Sequence, residues 1–154
     1  MPDIIVIADT SCLISLSRIN AVSLLKALYK EIFITQEIAN EFGESLPEWI
    51  KIKNPVNQNY KQLLSSSLDA GEASAIALAF EIKNVLLILD DLKGRQEAER
   101  FGFKITGTLG VLYKAKQSGL IEKIKPSIES LIASGFRISQ NVVEDLLRQS
   151  KEFT

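Results

Sequence analysis

No histidine occurs anywhere in these 154 residues, and there is a single cysteine. The first absence removes Ser-His-Asp and Cys-His nucleophilic systems and the usual zinc sites. The second removes an intramolecular disulfide framework and any cysteine cluster that would hold a soft metal. No apolar stretch approaches the ~20 residues needed to span a bilayer, and the first residues lack the basic, apolar and small-residue segments of a signal peptide. The expected protein is therefore cytoplasmic and makes no use of a membrane. Net charge is −1, so no basic footprint advertises a nucleic-acid binder. A local patch would suffice, and Lys93, Arg100, Lys104, Lys114 and Lys116 are its candidates. What remains for chemistry is carboxylate, Lys, Tyr, Ser and Thr, or a hard cation held by oxygen. Cys12, set among Leu13, Ile14 and Leu16, reads as a buried, inert thiol.

What is present is an alternation of apolar strands and helices within a chain of single-domain length, residues 1–154. Ile4–Ala8 and Val85–Leu89 are continuous apolar runs, the mark of strands buried on both faces. Ile32–Ile34, Ile50–Ile52 and Phe103–Ile105 read as shorter strands. Helices are expected after Asp9-Thr10-Ser11, over Ala21–Tyr29 with Asn20 as its cap, and over Gln36–Phe42 between Thr35 and Gly43. Further helices are predicted at Lys61–Leu64, Ala73–Ile82, Asp91–Phe101 and Thr106–Ser118, with Pro126–Ser134 and Ser139–Gln149 forming a C-terminal pair. This order predicts an α/β fold, a three-layer α/β/α sandwich around a parallel sheet of about four to five strands.

Acids sit where such sheets bind ligands, at the carboxyl ends of the strands. Asp9 closes the first apolar run and Asp90-Asp91 closes the second. Either position is also a plausible helix cap. On the helix following Thr35, successive residues turn by about 100°. Ile38, Ala39 and Phe42 then define one face, Glu41 lies at its border, and Glu37 points away into solvent. Asp69 and Glu72 have the spacing of a capping box, which accounts for Asp69. Glu72 aligns instead with Ile76 and Phe80, on the buried side of an almost wholly apolar helix, where unpartnered acids are rare.

Two carboxylates ~4 Å apart repel by roughly 4 kcal/mol at an effective dielectric of about 20. Several cannot remain ionised together without a cation or raised pKa values. With no His or Cys ligands available, oxygen donors favour Mg²⁺ or Mn²⁺. A hard ion among carboxylates suits phosphodiester hydrolysis.

The same residues resemble the PIN-domain family, metal-dependent ribonucleases that include VapC-type toxins of toxin–antitoxin pairs. The resemblance covers residues 3–120, with the C-terminal helices at about 121–150 lying beyond it. Ile7-Ala8-Asp9-Thr10-Ser11 is similar to the family's opening strand with its first acid and supporting hydroxyl. The segment from Thr35 to Glu41 resembles the one carrying the second acid. Leu68-Asp-Ala-Gly-Glu72 resembles the helix bearing the third, although many members have Asp there. Leu89-Asp90-Asp91 stands where the family has Thr-x-Asp, so both aspartates are kept as candidates.

The resemblance implies Asp9, Glu41, Glu72, Asp90 and Asp91 as catalytic acids, with Asp9, Glu72, Asp90 and Asp91 holding Mg²⁺ or Mn²⁺. Thr10, Ser11, Arg95 and Thr108 would support the acids or meet a phosphate. Arg95 also lies at i+4 from Asp91, the spacing of an intrahelical ion pair. RNA is the implied substrate, an antitoxin protein the implied partner, and the apolar faces of residues 126–149 would serve a homodimer. A receiver domain would need its paired acids at the first strand, and an Asp-x-Asp phosphatase fails because residue 11 is Ser. No glycine-rich phosphate loop is present. The competing expectation is a PIN-like module that binds RNA or a protein without cleaving it.

Overall fold

β-branched and leucine side chains in unbroken runs leave a strand with no polar face, so it must lie between two layers of helices. That is how the chain folds in the computed structural model, which describes residues 4–153. Strands β1 (Ile5–Ala8), β2 (Ile32–Ile34), β3 (Ile50–Ile52), β4 (Val85–Ile88) and β5 (Lys104–Thr106) form one sheet in the order β3-β2-β1-β4-β5. All neighbours are parallel. β1 and β4 are the central pair, with Ala8 opposite Ile88, and their inner residues are almost wholly buried.

The strand order reverses direction between β1 and β4, because β1 to β3 step one way and β4 to β5 the other. That reversal opens a crevice at the carboxyl ends of β1 and β4, and Asp9 and Asp90 both emerge there.

The helices are α1 (Thr10–Arg18), α2 (Ser23–Tyr29), α3 (Gln36–Phe42), α4 (Asn59–Leu64) and α5 (Ala70–Ala79). They continue with α6 (Leu92–Arg100), α7 (Thr108–Gln117), α8 (Lys125–Ala133) and α9 (Gln140–Gln149). α5 lies on β1 and β4 with α4 and α6 beside it, while α1 touches α7 and α8, and α2 touches α7. α3 bridges the two groups by contacting both α1 and α5. This is the three-layer α/β/α arrangement anticipated from the alternation. α5 is buried all round, and its run of Ala and Gly lets it approach the sheet closely.

Local capping explains most boundaries. Asp9 caps α1, Thr35 caps α3, Asp69 caps α5 and Ser139 caps α9, each through its side chain. Gly43 ends α3 in the left-handed region at φ +69°, where glycine has no Cβ to clash. Two expectations are corrected. Asn20 caps nothing: it sits at φ +56° in the link after α1, and α2 begins at Ser23 without a side-chain cap. Thr106 belongs to the end of β5 rather than to the following helix, which starts at Thr108. Among the described residues no single helix is long and apolar enough to cross a membrane.

The C-terminal segment is tied down by one acid. Glu152 accepts from Lys116 Nζ at 2.7 Å and from the Ile124 and Lys125 N–H groups at 2.8 and 3.1 Å. It thereby fastens the chain after α9 to the start of α8 and to α7. Lys116 also donates to the Ser150 carbonyl.

Candidate active site

At the crevice, the backbone first fixes the two strand ends together: the Asp9 N–H donates to the Ile88 carbonyl at 3.0 Å. The Asp9 side chain turns onto the start of α1 and accepts from the Thr10 N–H at 2.7 Å. Asp9 is 4% exposed. Burial pushes its carboxyl up to about 7, against the opposing Thr10 hydrogen bond and with the charges of Asp69, Glu41 and Asp90 adding to the rise.

Glu72 reaches the same place from α5 and is equally buried at 4%. Burial is the main reason its carboxyl rises to about 9, followed by a hydrogen bond with the Asp69 carboxyl and by the charges of Asp69, Asp9 and Asp91. Its other oxygen, Oε2, has no hydrogen-bond partner although it is shielded from solvent. A buried acceptor left open in this way ordinarily costs a few kcal/mol or marks a place for a ligand. Thr10 Oγ1 is a second buried oxygen without a partner at this edge.

Glu41 is on the exposed border of α3, as its helix phase predicts. Burial and the Asp69 charge raise its carboxyl above the usual range, partly offset by a hydrogen bond from the Gly71 N–H. Glu37, expected in solvent, is instead half-buried and paired with Lys61 Nζ of α4 at 2.7 Å.

Asp90 and Asp91 divide their work. Asp90 is half-buried and both its oxygens engage Thr108, with the backbone N–H at 2.8 Å and the hydroxyl at 2.6 Å. Asp91 is exposed and caps α6, accepting from Lys93 N–H at 3.1 Å and Gly94 N–H at 3.3 Å. Arg95 does not pair with Asp91 among the described residues; its guanidinium donates to the Leu89 carbonyl at 3.1 Å. The departure from the i+4 pairing follows from the cap, which turns the Asp91 carboxylate back over the first turn of α6. Ser11, half-buried in α1, makes no hydrogen bond to an acid among the described residues. Cys12 is fully buried, its thiol pushed up by burial, and it hydrogen-bonds Thr108.

Asp69 is the member that sequence reasoning set aside. It caps α5 through the Glu72 N–H at 2.8 Å, as the capping-box spacing predicts. Its charge also acts on Asp9, Glu41 and Glu72. Capping and membership of the acidic edge are compatible because α5 starts at that edge, which the linear spacing alone does not reveal.

Glycines make room for the acids. A Cβ on Gly94 would fall 2.7 Å from Glu72 Oε2, and one on Gly107 would fall 2.8 Å from both Asp90 Oδ1 and Arg95 Nη1. Among the described residues no three acids stand close enough to chelate an ion as placed. Each carboxylate but that of Glu72 has taken a nearby N–H or hydroxyl donor. The donor set nonetheless fits a hard divalent cation. It is all oxygen, it contains two buried acids with raised pKa values, and it includes an unpartnered carboxylate oxygen, Glu72 Oε2, lodged where Gly94 has no side chain.

A family model described as PIN domain matches residues 5–152 of the chain. No curated protein matches it.

Proposed function

The chain belongs to the PIN-domain family, a family generally of nucleases that use divalent metals, and on that premise we propose that it is a metal-dependent endoribonuclease. The observation that carries the reading is the pairing of Asp9 and Glu72, two acids 4% exposed at the crevice between β1 and β4, with Glu72 Oε2 lacking a partner. Asp9 and Glu72 would hold Mg²⁺ or Mn²⁺, with Glu41, Asp69 and Asp90 around them. When bound, such an ion supplies Lewis acidity toward a phosphoryl oxygen and lowers the pKa of water.

The chain's own residues do the rest. Thr108 fixes both oxygens of Asp90, so that acid faces the crevice in one orientation. Arg95, held by the Leu89 carbonyl, keeps a cation beside Asp90 where a phosphate oxygen would be met. Glu72, its carboxyl raised by burial and by the Asp69 carboxyl, would have to give up a proton to hold an ion there. Among the two aspartates after β4, the half-buried Asp90 is the better placed; Asp91 is committed to capping α6.

By analogy with the VapC-type toxins that the motifs resemble, the chain would act in the cytoplasm as the RNA-cleaving half of a toxin–antitoxin pair. An antitoxin protein would be its partner, and the exposed apolar side chains of α8 and α9 would join a homodimer. A second reading is supported by Asp90, whose two oxygens are both already occupied by Thr108: a module that binds RNA or protein without cutting it.

The test is incubation of the purified chain with single-stranded and structured RNA, with Mn²⁺ and with chelator. Cleavage that requires Mn²⁺ and disappears in Asp9→Asn is the expected result. Equal cleavage in chelator overturns the mechanism, and binding of RNA without cleavage in any metal assigns the second reading.

A further inference from the structure

A cleft of about 620 Å³ is lined by Asp90 and by the segment leading into α9. Arg95 and Leu109 line one side; Phe136, Arg137 and Val142 line the other. The link after α8 and the start of α9 thus share a cleft with an acid of the crevice.

Its chemistry is mixed. Leu109, Phe136 and Val142 present apolar surface to it, Val142 being 47% exposed. Two guanidinium groups line the same cleft. Arg95 is anchored by the Leu89 carbonyl. Arg137 is exposed and makes no hydrogen bond or ion pair among the described residues. An arginine left free beside an aromatic ring and at the end of an acidic site is suited to a phosphate flanked by a flat ring.

We propose that this cleft is the subsite for the nucleotide adjoining the scissile phosphate, with its base against Phe136 and Leu109 and its outer phosphate on Arg137. The inference rests on the nuclease reading and adds to it a specificity-determining residue in the C-terminal segment. A nucleotide fits better than an acidic peptide. It carries charge only at the phosphates on either side of an uncharged ring, which suits a cleft lined by both guanidinium and apolar side chains.

Binding of a fluorescein-labelled, phosphorothioate-linked single-stranded RNA to the full chain in Mn²⁺, followed by anisotropy over a salt series, tests the assignment. Arg137→Gln is expected to weaken binding by about tenfold and to flatten the slope of log affinity against log salt by about 0.7, the loss of one phosphate contact on a single strand. Lys123→Gln, an equal charge change at an exposed residue away from the cleft, is the control and is expected to match wild type. Equal affinity and slope in Arg137→Gln and wild type overturn the subsite while leaving the nuclease reading intact. The same loss in Lys123→Gln overturns it too, since the effect is then general charge. A polyglutamate peptide that binds through Arg137 where RNA does not would assign the cleft to a protein tail. A wild-type chain that neither binds nor cleaves RNA removes the nuclease reading beneath the proposal.

Discussion

Gly94 faces Glu72 across the crevice so closely that a Cβ there would lie 2.7 Å from Oε2 and 3.4 Å from the carboxyl carbon. The two residues come from different helices, and the missing side chain of one leaves the carboxylate of the other its place.

Gly94→Ala is therefore expected to separate stability from metal response. Within α6 the substitution gains about 1 kcal/mol of helix propensity. Crowding against the flexible end of Glu72 costs about as much, toward the low end for overpacking. The melting temperature in chelator should barely move, whereas the rise in melting temperature on adding Mn²⁺ should shrink, because Glu72 is displaced. A Mn²⁺ titration followed by thermal unfolding reads both; an unchanged Mn²⁺ response would show that Glu72 takes no part in holding the ion.

Asp9 makes the metal-free fold sensitive to pH. Its carboxyl is raised from 3.8 to about 7, chiefly by burial, so between those values the folded chain keeps a proton that the unfolded chain has released. Stability therefore falls as pH rises through this window, by on the order of 4 kcal/mol, and stays lower above it. Asp9→Asn keeps an oxygen to cap α1 but carries no charge. It is expected to match wild type near pH 4 and to exceed it at pH 8 in chelator, by urea denaturation at the two pH values. Lower stability of the variant at pH 8 would mean that Asp9 serves the fold mainly as a cap.

Thr108→Val removes the hydroxyl that donates to Asp90 at 2.6 Å while leaving the backbone donor in place. Leaving one oxygen of a half-buried acid unpaired should destabilise by about 1.5–3 kcal/mol. Thr108→Ser restores the hydroxyl and should recover most of it. Chemical denaturation of the three proteins in parallel decides this, and a Ser variant as unstable as Val would point to the lost methyl rather than the hydrogen bond.

Glu152 gives a pH dependence of opposite sign. Burial opposes its ionisation, but the Lys116 ammonium and the Ile124 and Lys125 N–H groups outweigh that and hold its carboxyl below 4.5. Its contribution is present above the unfolded value and is lost as pH falls through the folded one. Glu152→Gln should cost about 3 kcal/mol at pH 7, the range for breaking a largely buried pair. The difference from wild type should narrow in acid, and a gap that persists unchanged at pH 3 would exclude the ion pair as its source.

How far the residues alone carried the structure differs from one element to the next. β1 and β4 were legible because a continuous apolar run admits burial on both faces and little else. α3 was legible because Thr35 and Gly43 are unambiguous local signals at its two ends. Glu72 was placed correctly by helix phase, which ties an acid to a buried face without knowledge of its neighbours. Asn20 misled, since an Asn that can cap a helix can also occupy the left-handed region in a link, and the choice depends on how α1 and α2 pack. The division between Asp90 and Asp91 needed Thr108, distant in sequence and brought close by β5. Glu37 needed Lys61 in the same way. The cleft at Arg137 was out of reach altogether, because its two walls meet only through the docking of α9.

The crevice between β1 and β4 has a consequence for the newborn chain. Asp9 is made well before its neighbouring strand Val85–Ile88 and before Thr108, whose hydroxyl orients Asp90. Asp9, Glu41, Asp69 and Glu72 come first, but the edge stays without Asp90 and without the β1–β4 pairing until residues 85–108 are in place. On the nuclease reading, synthesis would therefore act as a timer, with no capacity to cut RNA before Val85–Ile88 and Thr108 have been made and folded onto β1.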